Sequence, residues 1–282
     1  MTGLAVRLAR WRGIARSLRM YYGVPGRGRR AARLYGRFVR PGDLCFDIGA
    51  HVGNRSRCWS RLGARVVALE PQPDFARFLR WLFRNDPAVT VREAAAGAAP
   101  GRLDLRVSRR TPTVTSMSAD WMAAMAPTRG FAGVSWDEAV AVEVVTLDAL
   151  IAEFGMPAFC KIDVEGFEPE VLRGTAAALP ALSFEYLPAA RDQAALCIDL
   201  LAARGDYRFN RSTGESLRLE EPAWLDAAAM RRWLLARAPD EPSGDVYAVL
   251  CGSPGQRPAS PRALPASLEA SHGIRTLDLV RR

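Results

Sequence analysis

The sequence lacks the residues that a zinc site needs. It has only two histidines, and its five cysteines are never spaced C-x-x-C. Structural and catalytic zinc ions are held by closely spaced Cys and His ligands, so this shortage argues against a Cys/His metal site. Cys45 and Cys160 lie in apolar, strand-like runs, which predicts buried and reduced thiols. Reduced thiols fit a cytoplasmic protein.

Long apolar runs are also missing. No stretch approaches the roughly 18 apolar residues that a membrane-spanning helix needs, and no apolar segment follows the first arginines as in a signal peptide. The sequence therefore predicts neither a spanning helix nor a secretion signal, and a cytoplasmic location is expected.

Acidic residues are absent from the first part of the chain. Residues 1–42 contain eleven arginines and no Asp or Glu, and the net charge of +9 belongs to the two ends, because residues 43–252 are acidic on balance. Enzymes that act on nucleic acid more often carry a basic catalytic body, so a nucleic-acid partner is not expected. Helical spacing over residues 4–18 indicates a helix that either packs on the domain or contacts an anionic membrane or a partner protein.

The rest of the chain alternates between strands and helices, which predicts an α/β fold with a mainly parallel sheet covered by helices on both faces. A single domain over residues 41–252 is expected, with an arginine-rich extension over 1–40 and a proline-rich, mobile tail over 253–282. The predicted strands are 43–48, 65–70, 89–95, 101–107, 140–146, 158–164, 181–187 and 245–251, with a hairpin at 206–219. The predicted helices are 53–62, 74–85, 147–154, 167–179, 190–204 and 222–237.

The first strand runs directly into a glycine turn with the spacing D-x-G-x-x-x-G, made by Asp47, Gly49 and Gly53. Glycines let the backbone turn tightly and let a ligand approach the following helix. A carboxylate at the first position would repel a pyrophosphate but suits a ligand with an ammonium and a sulfonium group. This spacing therefore favours S-adenosyl-L-methionine over a dinucleotide.

Glu70 ends the second strand, and an acid at this place can accept hydrogen bonds from both ribose hydroxyls. A third acidic stretch, K-I-D-V-E-G-F-E, ends the strand 158–164. Its alternation places Lys161, Asp163 and Glu165 on one face of that strand. These carboxylates could bind an acceptor hydroxyl and take its proton, or bind a divalent cation. Glu185, in an apolar run, could face the same crevice.

These blocks together resemble FkbM-type methyltransferases. The resemblance rests on the stretches D-x-G-A-x-x-G-x-x-S, V-x-A-x-E-P, T-L-D-x-L and K-I-D-V-E-G-x-E-x-x-V-L-x-G, followed by F-E. It implies a class I methyltransferase with a Rossmann-like, mainly parallel seven-stranded sheet. It also implies S-adenosyl-L-methionine as cofactor and O-methylation of a hydroxyl on a sugar, glycolipid or other natural product.

The site residues expected from these blocks fall into two groups, with no metal ligand among them. The expected catalytic residues are Asp163, Glu165 and Lys161. The expected cofactor-binding residues are Asp47, Gly49, Ala50, Gly53, Asn54, Glu70, Pro71, Ala94, Ala95 and Asp163.

Two other functions stay open at this point, an RNA methyltransferase and a non-catalytic protein that binds an adenosine ligand. The stretch 108–138 is either a lid over the acceptor or an ordinary surface insertion.

Overall fold

The computed structural model describes residues 3–108, 115–128, 134–136 and 138–252, with the side chains described from residue 13 onward. The tail that we expected to be mobile, residues 253–282, lies outside these ranges. The described strands are β1 Leu44–Ile48, β2 Arg65–Leu69, β3 Val89–Arg92, β4 Ala95–Ala96, β5 Gly101–Val107, β6 Thr115–Ser116, β7 Glu138–Val145, β8 Phe159–Ile162, β9 Ala181–Tyr186, β10 Tyr207–Thr213 and β11 Gly244–Leu250. The described helices are α1 Gly3–Tyr22, α2 Arg27–Tyr35, α3 Asn54–Arg61, α4 Pro73–Leu82, α5 Ala119–Met125, α6 Leu147–Phe154, α7 Glu168–Arg173, α8 Arg191–Ala202 and α9 Ala227–Leu235.

A central seven-stranded sheet has the order β10-β11-β9-β8-β1-β2-β3. Its strands are parallel except for β11, which runs antiparallel to both β9 and β10. This confirms the predicted α/β fold with a mainly parallel, seven-stranded sheet, in which one reversed strand lies next to the edge.

Helices cover both faces of this sheet because every second side chain of a strand points to the same face. Phe46, Ile48 and Ile162 point to the face covered by α6, α7, α8 and α9. Cys45 and Phe159 point to the other face and pack against α2 and α3. Near-continuous burial along β1, β8 and β9 is the pattern expected of strands covered on both sides.

A second sheet, which the sequence did not lead us to expect, has the order β4-β7-β5-β6. The predicted strand 89–95 is in fact two strands, because the chain leaves the central sheet after Arg92 and Ala95 pairs with Val144 of β7. This pairing spans many residues, so no local pattern reveals it.

Two predicted elements differ from the structure. The expected hairpin at 206–219 is wrong, since residues 207–213 form the single strand β10, whose partner is β11. The predicted helix 167–179 ends at Arg173, where Gly174 lies so close to another segment that an added Cβ would be 2.2 Å from the Gly97 carbonyl oxygen.

The N-terminal helices pack on the domain. Ile14 of α1 is buried among Ala50, Phe75 and Phe78, and Tyr35 of α2 stacks edge-on against Trp59. Within the described residues, no helix is long and apolar enough to cross a membrane.

Candidate active site

The crevice at the carboxyl ends of β1 and β8 lies where the strand order reverses, which is where ligands bind in open α/β sheets. Gly49 begins the loop that follows β1, with φ of +83°. A Cβ there would lie 1.9 Å from the carbonyl oxygen of Asp163, so only glycine allows the two loops to pass this close. The nitrogen of Asp163 also donates to the carbonyl of Ile48 over 2.9 Å. The first and third acidic stretches are therefore in direct contact.

Asp47 is buried, and it holds the start of α3 against the end of β1. Its carboxylate accepts a hydrogen bond from the backbone nitrogen of Ser56 at 3.0 Å and a second from the Ser56 hydroxyl. Burial raises the pKa of Asp47, while the Ser56 hydrogen bonds act in the opposite direction. Asp47 thus fixes the loop that a cofactor would contact.

Glu70, at the end of β2, likewise holds the neighbouring loops in place through hydrogen bonds. One of its carboxylate oxygens accepts from the backbone nitrogen of His51 at 2.8 Å, and the other accepts from that of Gln72 at 2.9 Å. Burial raises its pKa to about 7, against the lowering effect of these two hydrogen bonds. This carboxylate lies at the end of β2, where we expected an acid that accepts hydrogen bonds from ribose hydroxyls. Each carboxylate oxygen has a second lone pair that can accept such a hydrogen bond.

His51 shapes the loop between these two acids. It has φ of +51°, its ring contacts that of Phe75 at a tilt of 45°, and its Nε2 lies 3.3 Å from the Ser17 hydroxyl of α1. Tyr22 of the same helix donates to the carbonyl of Val52 at 3.0 Å. Burial lowers the pKa of His51 to about 4, so its ring is neutral near pH 7. Helix α1 therefore forms one wall of the crevice.

The other expected cofactor residues lie around this loop. Ala50, Ala94 and Ala95 are buried, and Ala95 packs with the second sheet, so these alanines offer a ligand mainly backbone. Asn54 begins α3 and Pro71 follows Glu70, both half-buried.

Lys161 is completely buried on the other side of the crossover. Its ammonium lies 2.6 Å from Oδ1 of Asp245 and 3.4 Å from Oδ2 of Asp163. Burial alone would lower the pKa of Lys161, but the two carboxylates outweigh burial and raise it. Lys161 is therefore a permanent cation and cannot act as a base.

Arg55, from the first turn of α3, adds a second cation. Its guanidinium lies 3.9 Å from Asp163, 3.7 Å from Glu215 and 3.8 Å from Asp245. Burial would raise the pKa of Asp163, yet Lys161 and Arg55 together lower it. Asp163 consequently stays ionised over the physiological range.

Three further acids face this pair of cations without a salt bridge of their own among the described residues. Burial and the charge of Asp163 raise the pKa of Glu185 and of Glu165 well above the usual range, and burial raises that of Glu168 to about 7. The Oε2 atom of Glu185 is buried and has no hydrogen-bond partner among the residues that the structure describes. Glu165 does not continue the strand, since its φ is +53°, and Glu168 accepts from the nitrogen of Val164 at 3.0 Å.

The described part of the stretch 108–138 covers this acidic turn. The Ser116 hydroxyl donates to the carbonyl of Glu165 at 2.7 Å, and the indole of Trp121 lies so close to Gly166 that an added Cβ would be 2.2 Å away. Helix α5 therefore stands over the carboxylates, as a cover would; residues 109–114, 129–133 and 137 lie outside the described residues.

The sequence reasoning missed Arg55, Glu215 and Asp245. Asp245 carried a signal that could have been used, since it is a lone charge in an apolar strand, like Glu185. Arg55 and Glu215 carried none, because their positions depend on how distant segments pack. Among the residues with a described placement, no three His, Cys, Asp or Glu side chains are grouped to hold a metal ion.

Comparisons with solved structures give methyltransferases of low sequence identity. Precorrin-6y C5,15-methyltransferase from Geobacter metallireducens is 16% identical, with a TM-score of 0.41, over 78% of this chain and 86% of that one. An O-methyltransferase from Bacillus cereus in complex with SAH is 14% identical, with a TM-score of 0.43, over 89% of this chain and 92% of that one. No curated protein matches the sequence.

The family comparison is more specific. The model of the methyltransferase FkbM domain matches residues 47–206, more than half of the chain. The match begins at Asp47 and includes Glu70 and the whole acidic turn from Lys161 to Glu168. The chain belongs to the FkbM family of methyltransferases.

Proposed function

We propose that this methyltransferase uses S-adenosyl-L-methionine and methylates a hydroxyl group on a sugar, glycolipid or other natural product. Two features support the proposal. The loop after β1 has the shape and the acids that a cationic adenosine cofactor needs, and the neighbouring turn has carboxyls suited to an acceptor hydroxyl. The two sets meet at the contact of Gly49 with Asp163.

The cofactor fits the chemistry of the crevice. A Cβ on Gly53 would lie 2.7 Å from Leu79 and 2.8 Å from Phe83, so the loop keeps its tight path only with glycine. Two buried carboxylates stand at the ends of β1 and β2, which suits positively charged groups and ribose hydroxyls. When bound, S-adenosyl-L-methionine supplies a methyl group on a sulfonium. The residues that would hold it are Asp47, Gly49, Ala50, Gly53, Asn54, Glu70, Pro71, Ala94, Ala95 and Asp163.

The observation that carries the proposed reaction is a set of carboxyls with opposite pKa shifts in one crevice. Asp163 is kept ionised by Lys161 and Arg55, whereas Glu165 and Glu185 have raised pKa values. Carboxyls whose environments separate their pKa values commonly divide the roles in proton transfer.

We assign the roles accordingly. Asp163 accepts a hydrogen bond from the acceptor hydroxyl and orients its oxygen, and Lys161 keeps Asp163 in place and charged. Asp163, the carboxylate that is kept ionised, takes the hydroxyl proton as the new carbon–oxygen bond forms, whereas the raised pKa values of Glu165 and Glu185 favour their protonated forms. Alignment supplies most of the rate in such a transfer, so a base of modest strength is sufficient.

We also propose the division of the chain suggested by its composition. Residues 41–252 form the methyltransferase domain, residues 1–40 are an extension that docks on it, and residues 253–282 are a tail. The acceptor is a small molecule or glycan, and the protein works in the cytoplasm.

Two measurements test the cofactor and the reaction in turn. Isothermal titration should show binding of S-adenosyl-L-methionine and of adenosylhomocysteine, and none of NADH. Transfer of a tritiated methyl group should then be screened over sugars, glycolipids and polyketides. Binding of NADH alone would overturn the cofactor assignment, and transfer to RNA alone would replace the proposed acceptor.

Variants separate the two halves of the site. Asp47→Ala should abolish cofactor binding, because it releases the loop from Ser56. Asp163→Ala should leave binding largely intact and stop methyl transfer. Asp192→Asn, an exposed acid in the first turn of α8, is the matched control and should change neither. Normal turnover of Asp163→Ala would contradict the assigned role.

A further inference from the structure

The exposed side of α1 and α2, near the junction between the two helices, carries arginines together with apolar residues at the junction, which we call its apolar tip. Helix α1 ends at Tyr22 and α2 begins at Arg27, so side chains within two turns of either end lie within about 10 Å of the junction along the helix axes. We call the exposed set on this side the basic face, and it consists of Arg16, Arg19, Met20, Val24, Arg29 and Arg33.

The positive charge of the basic face is not neutralised. Residues 1–42 contain no acid, and within the described part of the chain no ion pair joins Arg16, Arg19, Arg29 or Arg33 to a carboxylate. Several arginines of the domain are paired, as Arg211 is with Glu221 at 2.7 Å. The basic face therefore has a field that favours an anionic partner.

The apolar tip of the basic face, formed by Met20 and Val24, is exposed to solvent. Met20 is 48% exposed and Val24 is 40% exposed. The junction that presents them is held in place, because the guanidinium of Arg27 donates to the Met20 carbonyl at 2.5 Å and stacks over the ring of Tyr21. Exposed apolar side chains ringed by arginines match a lipid surface, where headgroups pair with the cations and the apolar groups enter the acyl boundary.

The aromatic residues beside the basic face argue against single-stranded RNA as the partner. RNA-binding surfaces present aromatic rings on which bases stack. Here Tyr21 contacts His51, and Tyr22 donates to the carbonyl of Val52, so both rings turn inward. No stacking ring is left among the six residues of the basic face.

We propose that the basic face docks this protein on an anionic lipid surface. The inner side of the same helix contacts the cofactor loop through Ser17 and Tyr22, so docking would bring the wall of the crevice to the lipid. The proposal does not depend on the identity of the cofactor or acceptor, because binding to lipid is measured without either.

Sedimentation of the full chain with vesicles tests the proposal. The protein should sediment with vesicles of phosphatidylcholine and phosphatidylglycerol, and not with phosphatidylcholine alone. Since each basic residue near such a surface contributes about fivefold in affinity, changing Arg16, Arg19, Arg29 and Arg33 to Gln should weaken binding by at least about a hundredfold. Met20→Ser with Val24→Ser should weaken binding further at high salt, where the apolar part dominates.

The control variant changes four exposed arginines on other surfaces, Arg102, Arg106, Arg218 and Arg232, to Gln. It removes the same charge and should keep most of the vesicle binding. Equal loss in both quadruple variants would show a net-charge effect and overturn the proposal. The proposal would also be overturned if the wild-type chain failed to sediment with the anionic vesicles. The same holds if the chain bound an RNA oligonucleotide more tightly than the vesicles and changing Met20 and Val24 to Ser left that RNA binding unaltered.

Discussion

The two halves of the crevice hold their acids by different means. On the side of β1 and β2, Asp47 and Glu70 are satisfied by neutral donors, namely Ser56 and the backbone of the adjoining turns. On the side of β8, β9 and β11, the acids surround two buried cations, and one carboxyl oxygen of Glu185 has no hydrogen-bond partner among the described residues.

We call the side of Asp47 and Glu70 the shape-determining half, because its hydrogen bonds fix the path of the loops. We call the side of Lys161, Asp163 and Asp245 the charge-determining half, because its ion pairs set the ionisation of the acids. Hydrogen bonds from neutral groups fix the path of a loop without adding a charge to the site. A loop of fixed shape is what the binding of a cofactor requires. A buried ion cluster with unequal partners shifts pKa values in both directions, which is the requirement for moving a proton.

The strictest test of the shape-determining half is Gly49→Ala. The added methyl group would overlap the Asp163 carbonyl in a backbone conformation of positive φ. We expect the free energy of unfolding to fall by about 5 kcal/mol, at the upper end for single substitutions, and adenosylhomocysteine binding to be lost. Urea denaturation and calorimetry measure the two effects.

Gly101→Ala is the matched control for this substitution. An added Cβ at Gly101 meets nothing within 4 Å, and its φ is not positive, so its stability should stay within about 0.5 kcal/mol of wild type. Similar losses in both variants would mean that the close approach of the two loops is not the cause.

The charge-determining half is tested by Lys161→Met. The substitution leaves the buried Asp245 and the half-buried Asp163 beside one remaining cation, and breaking a buried pair in this way costs about 3 to 4 kcal/mol. Adding Asp245→Asn should recover part of the loss, because the unpaired charge is then removed. Arg92→Met, which breaks an exposed pair with Glu153, is the control and should cost less than about 1 kcal/mol. A loss from Lys161→Met no larger than this would contradict the ion-cluster account.

The smallest expected effect is a pH-dependent gain from Glu168→Gln. Its folded pKa of about 7 lies above the ordinary value of 4.5, so the folded state binds the proton more tightly and wild-type stability rises as pH falls from about 7 to about 4.5. The glutamine variant lacks this titration and should be more stable than wild type by up to about 3 kcal/mol at pH 8, with the gain shrinking at pH 5.

Thermal melts of wild type and variant at the two pH values measure this difference. Glu143→Gln, an exposed position on β7, should give the same offset at both. A gain from Glu168→Gln that does not change with pH would show that the charge of Glu168 is not responsible.

The acids of the shape-determining half could be predicted from the sequence because their hydrogen bonds are to residues nearby in the chain, whereas the contact of Gly49 with Asp163 could not. Asp47 reaches a partner nine residues away, and the spacing of glycines and acids along β1 and β2 records that turn directly. The alternation of strands and helices likewise predicted the central sheet, since β1, β2, β8 and β9 each lead into a helix nearby.

The charge-determining half could not be predicted in the same way. Lys161 meets Asp245 across 84 residues, and β4 joins β7 through the distant pair Ala95 and Val144. Such contacts depend on packing between segments that have no common sequence pattern. The failed hairpin at 206–219 has the same origin, because the partner of β10 follows a long connection.

Insertion of β11 between β9 and β10 has a consequence for how the protein is made. Lys161 leaves the ribosome long before Asp245 is synthesised. Burial of Lys161 between its neighbouring strands is therefore delayed until β11, which carries its counterion Asp245, has been made. Nascent chains stalled ahead of Gly244 should therefore remain open to protease at β8, and completion of the final strand should close them in a single late step.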